Sequence, residues 1–492
     1  MSIKHFPSAA RKGKTKENNR TIEKDMPHKQ TLRKIYAYID KHFAKHLTQI
    51  QEYVRQPSIS ADGTGMRETA DMTKTFIEEL GGTSRIVETD GWPVVYGELN
   101  ADARKTLIIY GMYDVQPVEE ERSKWIVPPF GGKIVSFKPF GKCLVNRGAI
   151  NTKTPLRAFF NVCQSILAVE GRLPVNLIFV IEGEEELGSV HMPQFVEKYK
   201  RKLQKANAVF FPFPQEDIKG KVVLPLGVKG IIYLDLICQG GKWGGPTKRG
   251  IHSSFHACID SPVWRLLWAL ASLKTLDGKV AVEGFYENVS PPSREEEQLL
   301  KKLTKTFDEE SWRKEHEVLR FTDDLRGVEL LKRYAYVPSM NIDGLISGYT
   351  GEGTKTVLPH WAKAKIDTRL VPHMKTDEII KKLKTHLRGK GYSDIKVTLH
   401  DCYMWAQTSV REECVQAMIR AYRQLGYKPE IWPRLAGSAP FCVFNQPPLN
   451  LPFVIGGLGH GGRMHAPNEY FVIKGIRDNE KSVATFLYEY VY

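Results

Sequence analysis

Apolar residues early in the chain recur at three- and four-residue steps: Leu32, Ile35, Ile39, Phe43, Leu47, Ile50 and Val54. That is the period of a helix with one buried face, and it predicts a helix that begins just after Met26 and stops before Pro57. A second helix is predicted over 68–80, with Gly81-Gly82 as its C-terminal cap. The pattern then changes to short, almost wholly apolar runs (106–110, 175–181, 208–211 and 452–455) alternating with helical segments. Such runs are strands buried on both faces, so the predicted fold class is α/β, a mainly parallel sheet flanked by helices. Ligands of such sheets bind beyond the carboxyl ends of the strands.

Between about 227 and 400 the texture differs. Residues 228–238 (VKGIIYLDLIC) and 362–370 (AKAKIDTRL) alternate as half-buried strands do, with helical stretches over 263–273 and 376–387. This order predicts an α+β lid or dimerisation domain over 227–400, inserted into an α/β domain made of 28–226 and 401–492. The charged stretch 293–332 reads as a solvated helical excursion.

At 492 residues and 42% apolar content, the chain is long enough for more than one core and has the composition of a globular protein. No run approaches the length of a membrane span, and no signal-peptide centre is visible, so a cytoplasmic setting is expected. Seven dispersed cysteines without a CxxC pair argue against a disulfide framework and a structural zinc site. The net charge of +15 raises nucleic acid as a partner. Part of the excess, however, lies in a tail over 1–27 that carries Lys4, Arg11, Lys12, Lys14, Lys16, Arg20 and Lys24 and has almost no apolar residues. Disorder is the expectation there, with Met26 as an alternative start, and neither nucleic acid nor a membrane is an expected partner.

Chemistry-bearing segments sit at the predicted strand ends: Tyr110-Gly111-Met112-Tyr113-Asp114, Asn146-Arg147-Gly148-Ala149-Ile150-Asn151-Thr152-Lys153, Glu182-Gly183-Glu184-Glu185-Glu186, Gly250-Ile251-His252-Ser253, Lys355-Thr356-Val357-Leu358-Pro359, Arg369-Leu370-Val371-Pro372, Gly437-Ser438-Ala439-Pro440 and His465-Ala466-Pro467-Asn468-Glu469. In this order they resemble the M20 family of di-zinc metallopeptidases, most closely its branch of cytosolic dipeptidases acting on carnosine-like and cysteinylglycine-like dipeptides. The likeness runs from about residue 30 to the C-terminus. It implies a zinc-peptidase α/β domain with the inserted domain predicted above, and a homodimer.

By the same resemblance, one zinc of the family is held by residues that here are Met112 and, by register, Phe213. A thioether is a poor ligand for zinc and a phenyl ring is none. The other zinc position matches Glu186 and His465, with Asn151 where the family has a bridging aspartate. The resemblance therefore implies one divalent metal, zinc or manganese, held by Glu186, His465 and Asn151. Glu185 matches the general base, Asp114 the residue that orients the metal site, and His252 the oxyanion stabiliser. Arg369 matches the group that grips the substrate carboxylate, with Lys355, Thr356, Gly437 and Ser438 lining the pocket.

Bland readings stand beside these. Met112 and Phe213 fill a lost metal's space by packing, the acidic run is a solvated loop, and Arg147 and Lys153 neutralise it without metal. His191 and His460 are the histidines available to replace missing ligands. Two functions remain open: a hydrolase of a peptide or amide bond in a small carboxylate-bearing substrate, a dipeptide or acyl-amino acid, and a catalytically inactive relative that binds a carboxylated ligand or a partner. Metal-free chemistry on another bond is a third.

Overall fold

A computed structural model describes residues 27–492, so the basic tail and the alternative start at Met26 lie outside the described residues but for Pro27. The first helix, α1 (Pro27–Arg55), ends just before Pro57 as the periodicity requires, and Leu32, Ile35, Ile39, Ile50 and Val54 on its apolar stripe are fully buried. The second, α2 (Met66–Glu79), starts slightly earlier than its apolar period suggests, with Gly65 at its N-terminus in a left-handed conformation (φ 70°). A Cβ on Gly65 would lie 2.1 Å from the Pro57 carbonyl oxygen, so only glycine fits that turn.

The central sheet contains β1 (Thr83–Val87), β2 (Val94–Leu99), β3 (Thr106–Met112), β4 (Asn176–Glu182), β5 (Ala208–Pro212) and, much later in the chain, the strand Phe453–Gly456. The spatial order is β1-β2-β4-β3-β5 followed by that last strand. The inner pairs are parallel, whereas β1 and β2 extend the sheet antiparallel at one edge. Sequence pattern did not mark these two strands, because they are not continuous apolar runs. Helix α3 (Lys153–Glu170) packs with α1 and the C-terminal helix Ile473–Val491 on one face, where Phe159, Phe160, Phe179 and Phe210 interlock.

A second sheet holds β6 (Gly227–Gln239), β7 (Ser339–Ser347), β8 (Trp361–Leu370) and β9 (Lys396–Tyr403), all antiparallel, in the order β7-β8-β6-β9. Leu234, Leu236, Ala364 and Ile366 turn one face of it to α4 (Pro262–Ser272) and α7 (Thr376–Gly389). The excursion between them is helical, but α5 (Arg294–Leu303) and α6 (Gly327–Tyr336) bury Leu300, Leu303, Leu331 and Tyr336 in a small core of their own. The helical excursion that was expected to be solvated is therefore packed on its inner side. Strand β10 (Leu435–Ser438) runs parallel to the start of β6, and Lys229 pairs with Ser438.

Candidate functional site

Strands β3 and β4 run parallel with Met112 opposite Glu182, so both chains leave the sheet at the same edge. There Asp114, fully buried, accepts hydrogen bonds from the backbone N–H groups of Glu185 (3.3 Å) and Glu186 (3.0 Å). Burial, and next the Glu186 charge, push the Asp114 carboxyl up to about 7, while the two N–H donors pull the other way. Asp114 thus sets the shape of the acidic loop although the family's histidine beside it is Met112. The Glu185 carboxyl lies well above the usual carboxylate range, first through burial and then through the charges of Glu186, Asp114, Glu182 and Asp401.

Three groups from separate elements converge next to Glu185. The Asn151 amide nitrogen lies 2.9 Å from Glu186 Oε1 and 3.0 Å from His465 Nε2, which is itself 3.1 Å from Glu186 Oε2. Gln116 donates to Glu186 Oε2 at 2.9 Å. Glu469 holds Asn151 in place. Its buried carboxylate accepts from the backbone N–H groups of Gly148 (3.0 Å), Ile150 (2.9 Å) and Asn151 (2.9 Å), and from the Arg147 guanidinium (2.9 Å). Histidine and glutamate are close in sequence, so the segment that brings His465 also fastens the loop carrying its neighbour.

The other half of the expected site is apolar. Met112 is buried at the end of β3, and Phe213 stacks on Phe211 (ring centroids 5.6 Å apart) beside the aromatic cluster of Tyr110, Phe441 and Phe444. Several bland readings need correction. The acidic run is not a solvated loop, because Glu182 and Glu184 are buried. Arg147 does not neutralise it but pairs with Glu469, and Lys153 donates to the Gln56 carbonyl (2.6 Å) and Ser58 (3.2 Å). Neither spare histidine replaces a ligand. His191 bonds Glu184 (2.8 Å), and His460 bonds Tyr470 (3.0 Å) and the Glu216 carbonyl (3.1 Å).

On the second sheet, Arg369 donates to Asp367 (2.6 Å) and to Ser438 (2.8 Å), joining β8 to β10 near Gly437. His252, by contrast, lies on an exposed two-residue strand paired with Val357–Leu358, where its imidazole bonds Thr356 (3.1 Å) and Ser254 (2.7 Å). Lys355 stands over the Tyr349 ring (5.5 Å). Within one chain, then, Asp114, Glu185, Glu186, Asn151 and His465 assemble, Arg369 and Ser438 form a second pair, and His252, Lys355 and Thr356 form a third group at the small two-stranded ladder of 251–252 and 357–358. Asp401 was missed by sequence reading. From β9 its carboxyl packs against Gly188 so closely that a Cβ there would lie 2.2 Å from Asp401 Cγ, and burial pushes its pKa up to about 6. No local pattern links residues so far apart; only Gly188, at φ 88°, hinted at a close approach.

The model of peptidase family M20/M25/M40 matches residues 108–489. The chain belongs to the M20 peptidase family. The human Beta-Ala-His dipeptidase is 30% identical over 379 residues, covering 72% of this chain and 71% of that protein. The Cys-Gly metallodipeptidase DUG1 of Saccharomyces cerevisiae is 25% identical over 492 residues, covering 94% and 98%. Among solved structures, the M20 family metallo-carboxypeptidase Sso-CP2 of Sulfolobus solfataricus superposes with a TM-score of 0.83 at 34% identity, covering 90% of this chain and 99% of that one.

A pair of metals does not fit the M20 site of this chain. Met112 offers only a thioether, a poor zinc ligand, and Phe213 no donor, and among the described residues no three His, Cys, Asp or Glu side chains are arranged to hold an ion. One ion fits better: Glu186, His465 and Asn151 place donors within 3.1 Å of one another, and a half-turn of the amide presents its oxygen in place of its nitrogen.

Glu182 makes the site pH-sensitive. It accepts a hydrogen bond from Tyr110 (2.7 Å), and burial raises its pKa to about 8. A carboxyl raised above its unfolded value stabilises the fold fully below about pH 4, and that contribution is lost as pH rises through about 8. Equilibrium urea unfolding at about pH 5 and about pH 8 should therefore show stability falling with pH by on the order of 2 kcal/mol from this group. Glu182→Gln should flatten the fall; an equally steep fall in that variant would remove Glu182 as its source.

Proposed function

We propose that this M20 protein hydrolyses the peptide or amide bond of a small carboxylate-bearing substrate, a dipeptide or acyl-amino acid, with one divalent metal, zinc or manganese. The observation that carries this reading is the convergence of Glu186, His465 and Asn151 beside Glu185, on loops ordered by Asp114 and Glu469. When bound there, a divalent ion supplies Lewis acidity toward the scissile carbonyl and water, and favours the ionised form of Glu185. Glu185 takes a proton from the attacking water and returns it to the leaving amine, so the water's oxygen forms the new C–O bond as the C–N bond breaks. Asp114 keeps Glu185 and Glu186 in register by holding their backbone N–H groups.

Arg369 receives the substrate carboxylate. Its contacts to Asp367 and Ser438 use Nε and one terminal nitrogen, and among the described residues the other terminal nitrogen has no acceptor. Gly437 and Ser438 form the floor of that pocket. His252 with Lys355 and Thr356 joins the site from a second copy of the chain, which makes the homodimer part of this reading. The division into 28–226, 227–400 and 401–492 and a cytoplasmic setting complete it. Among the described residues no helix is long and apolar enough to cross a membrane.

A second reading, ligand binding without hydrolysis, is favoured by one observation: Glu186, His465, Asn151 and Gln116 satisfy one another directly. Metal content of untagged protein, dialysed against zinc or manganese and measured by mass spectrometry, separates the two. About one ion per chain, lost in His465→Ala, is the expected result for a three-donor site. No retained ion under any condition would retire the metal-dependent hydrolase and leave the binder or metal-free chemistry on another bond.

A further inference from the structure

A cleft of about 890 Å³ lies where the turn after α4, the end of α6 and β10 meet. None of its lining residues belongs to the acidic loop or to the Arg369–Ser438 pair. Four cations line it, Lys229, Lys274, Lys279 and Arg333, against two carboxylates, Asp277 and Asp323. Both carboxylates are already engaged, Asp277 with Lys279 (3.0 Å) and Asp323 with Arg333 (3.2 Å). Lys229 and Lys274 have no carboxylate within ion-pair distance among the described residues.

Lys229 is the unusual member. Only 4% exposed, it has as its hydrogen-bond acceptor the Val337 carbonyl (2.7 Å), although an ammonium carries three donors. Burial lowers its pKa to about 7, and the charges it feels next are those of Arg434 and Arg369, both of its own sign. A buried ammonium without a counter-charge is unfavourable unless it sheds its proton or an anion joins it, and an anion in the cleft would hold the proton in place. Around it the cleft is partly apolar, with Val280, Tyr334, Pro338 and Met340, and of a size that suits a small organic molecule.

We propose that this cleft is a binding site, separate from the hydrolase centre, for a small organic dianion, a phosphate monoester or a dicarboxylate, whose charged end pairs with Lys229 and Lys274 and whose body rests on Tyr334 and Met340. Because Lys229 stands opposite Ser438 in the β6–β10 ladder, the ligand braces the strand that also carries the partner of Arg369. The site does not depend on whether the chain is catalytic.

Calorimetric titration of the full chain with phenyl phosphate and with phthalate tests it, at constant ionic strength set with sodium chloride. At least one should bind with a dissociation constant of about 1 mM or tighter, and whichever binds more tightly identifies the headgroup. Lys274→Glu, on an exposed turn, should weaken binding by about tenfold or more, and Lys229→Met should abolish it. Should Lys229→Met fail to fold, the Lys274→Glu result stands alone. Binding of neither probe, or unchanged affinity in Lys274→Glu, overturns the proposal. So does binding that survives Lys274→Glu and disappears in Arg369→Ala, which would place the ligand beside Ser438.

Discussion

Glu185→Gln is expected to lower turnover by about two to four orders of magnitude on whichever dipeptide or acyl-amino acid the wild-type protein cleaves. The amide keeps the size and neutral polarity of the protonated acid that burial and four neighbouring carboxylates favour in the metal-free protein, so the fold should barely notice the exchange. It cannot take a proton from water. The check is kcat at saturating substrate together with a thermal melt. Lost turnover with an unchanged melt supports the shuttle, and full activity would remove Glu185 from the reaction. The Asp114 hydrogen bonds run to the backbone of residue 185, so they survive the substitution.

Glu469→Ala should have the largest effect on stability, about 3–5 kcal/mol. It strands the buried Arg147 guanidinium, whose Nε already lacks an acceptor and which otherwise retains the Ala466 carbonyl (3.3 Å) and the face of Trp125 (5.3 Å). It also leaves the N–H groups of Gly148, Ile150 and Asn151 without their acceptor, each an unfavourable loss in a buried loop. Chemical unfolding measures it, and a loss under about 1 kcal/mol would show that the loop holds its shape by packing alone. Because Asn151 rides on this loop, the variant should also fail to retain the ion proposed for Glu186, His465 and Asn151.

The parts legible beforehand share a physical reason. Periodicity reports which faces are buried, so α1, the parallel strands and the alternating β6 and β8 could be read directly. The order of the strand-end segments also pointed to the M20 family. Weaker elements stayed hidden: β1 and β2 do not form continuous apolar runs, and the excursion over 293–332 buries only a few leucines beneath a charged surface.

By itself the sequence determined the family, the α/β class and the poor zinc ligand at Met112, since side-chain chemistry at a named position needs no coordinates. Tertiary structure alone decided which charges meet. It sent Arg147 to Glu469 and Lys153 to the Gln56 carbonyl and the Ser58 hydroxyl, leaving the acidic loop without either cation. It brought Asp401 from a different sheet against Gly188, and it buried Lys229 among positive neighbours. Such pairings depend on through-space distance across elements far apart in the chain, and a charge's partner and its desolvation are properties of the packed fold.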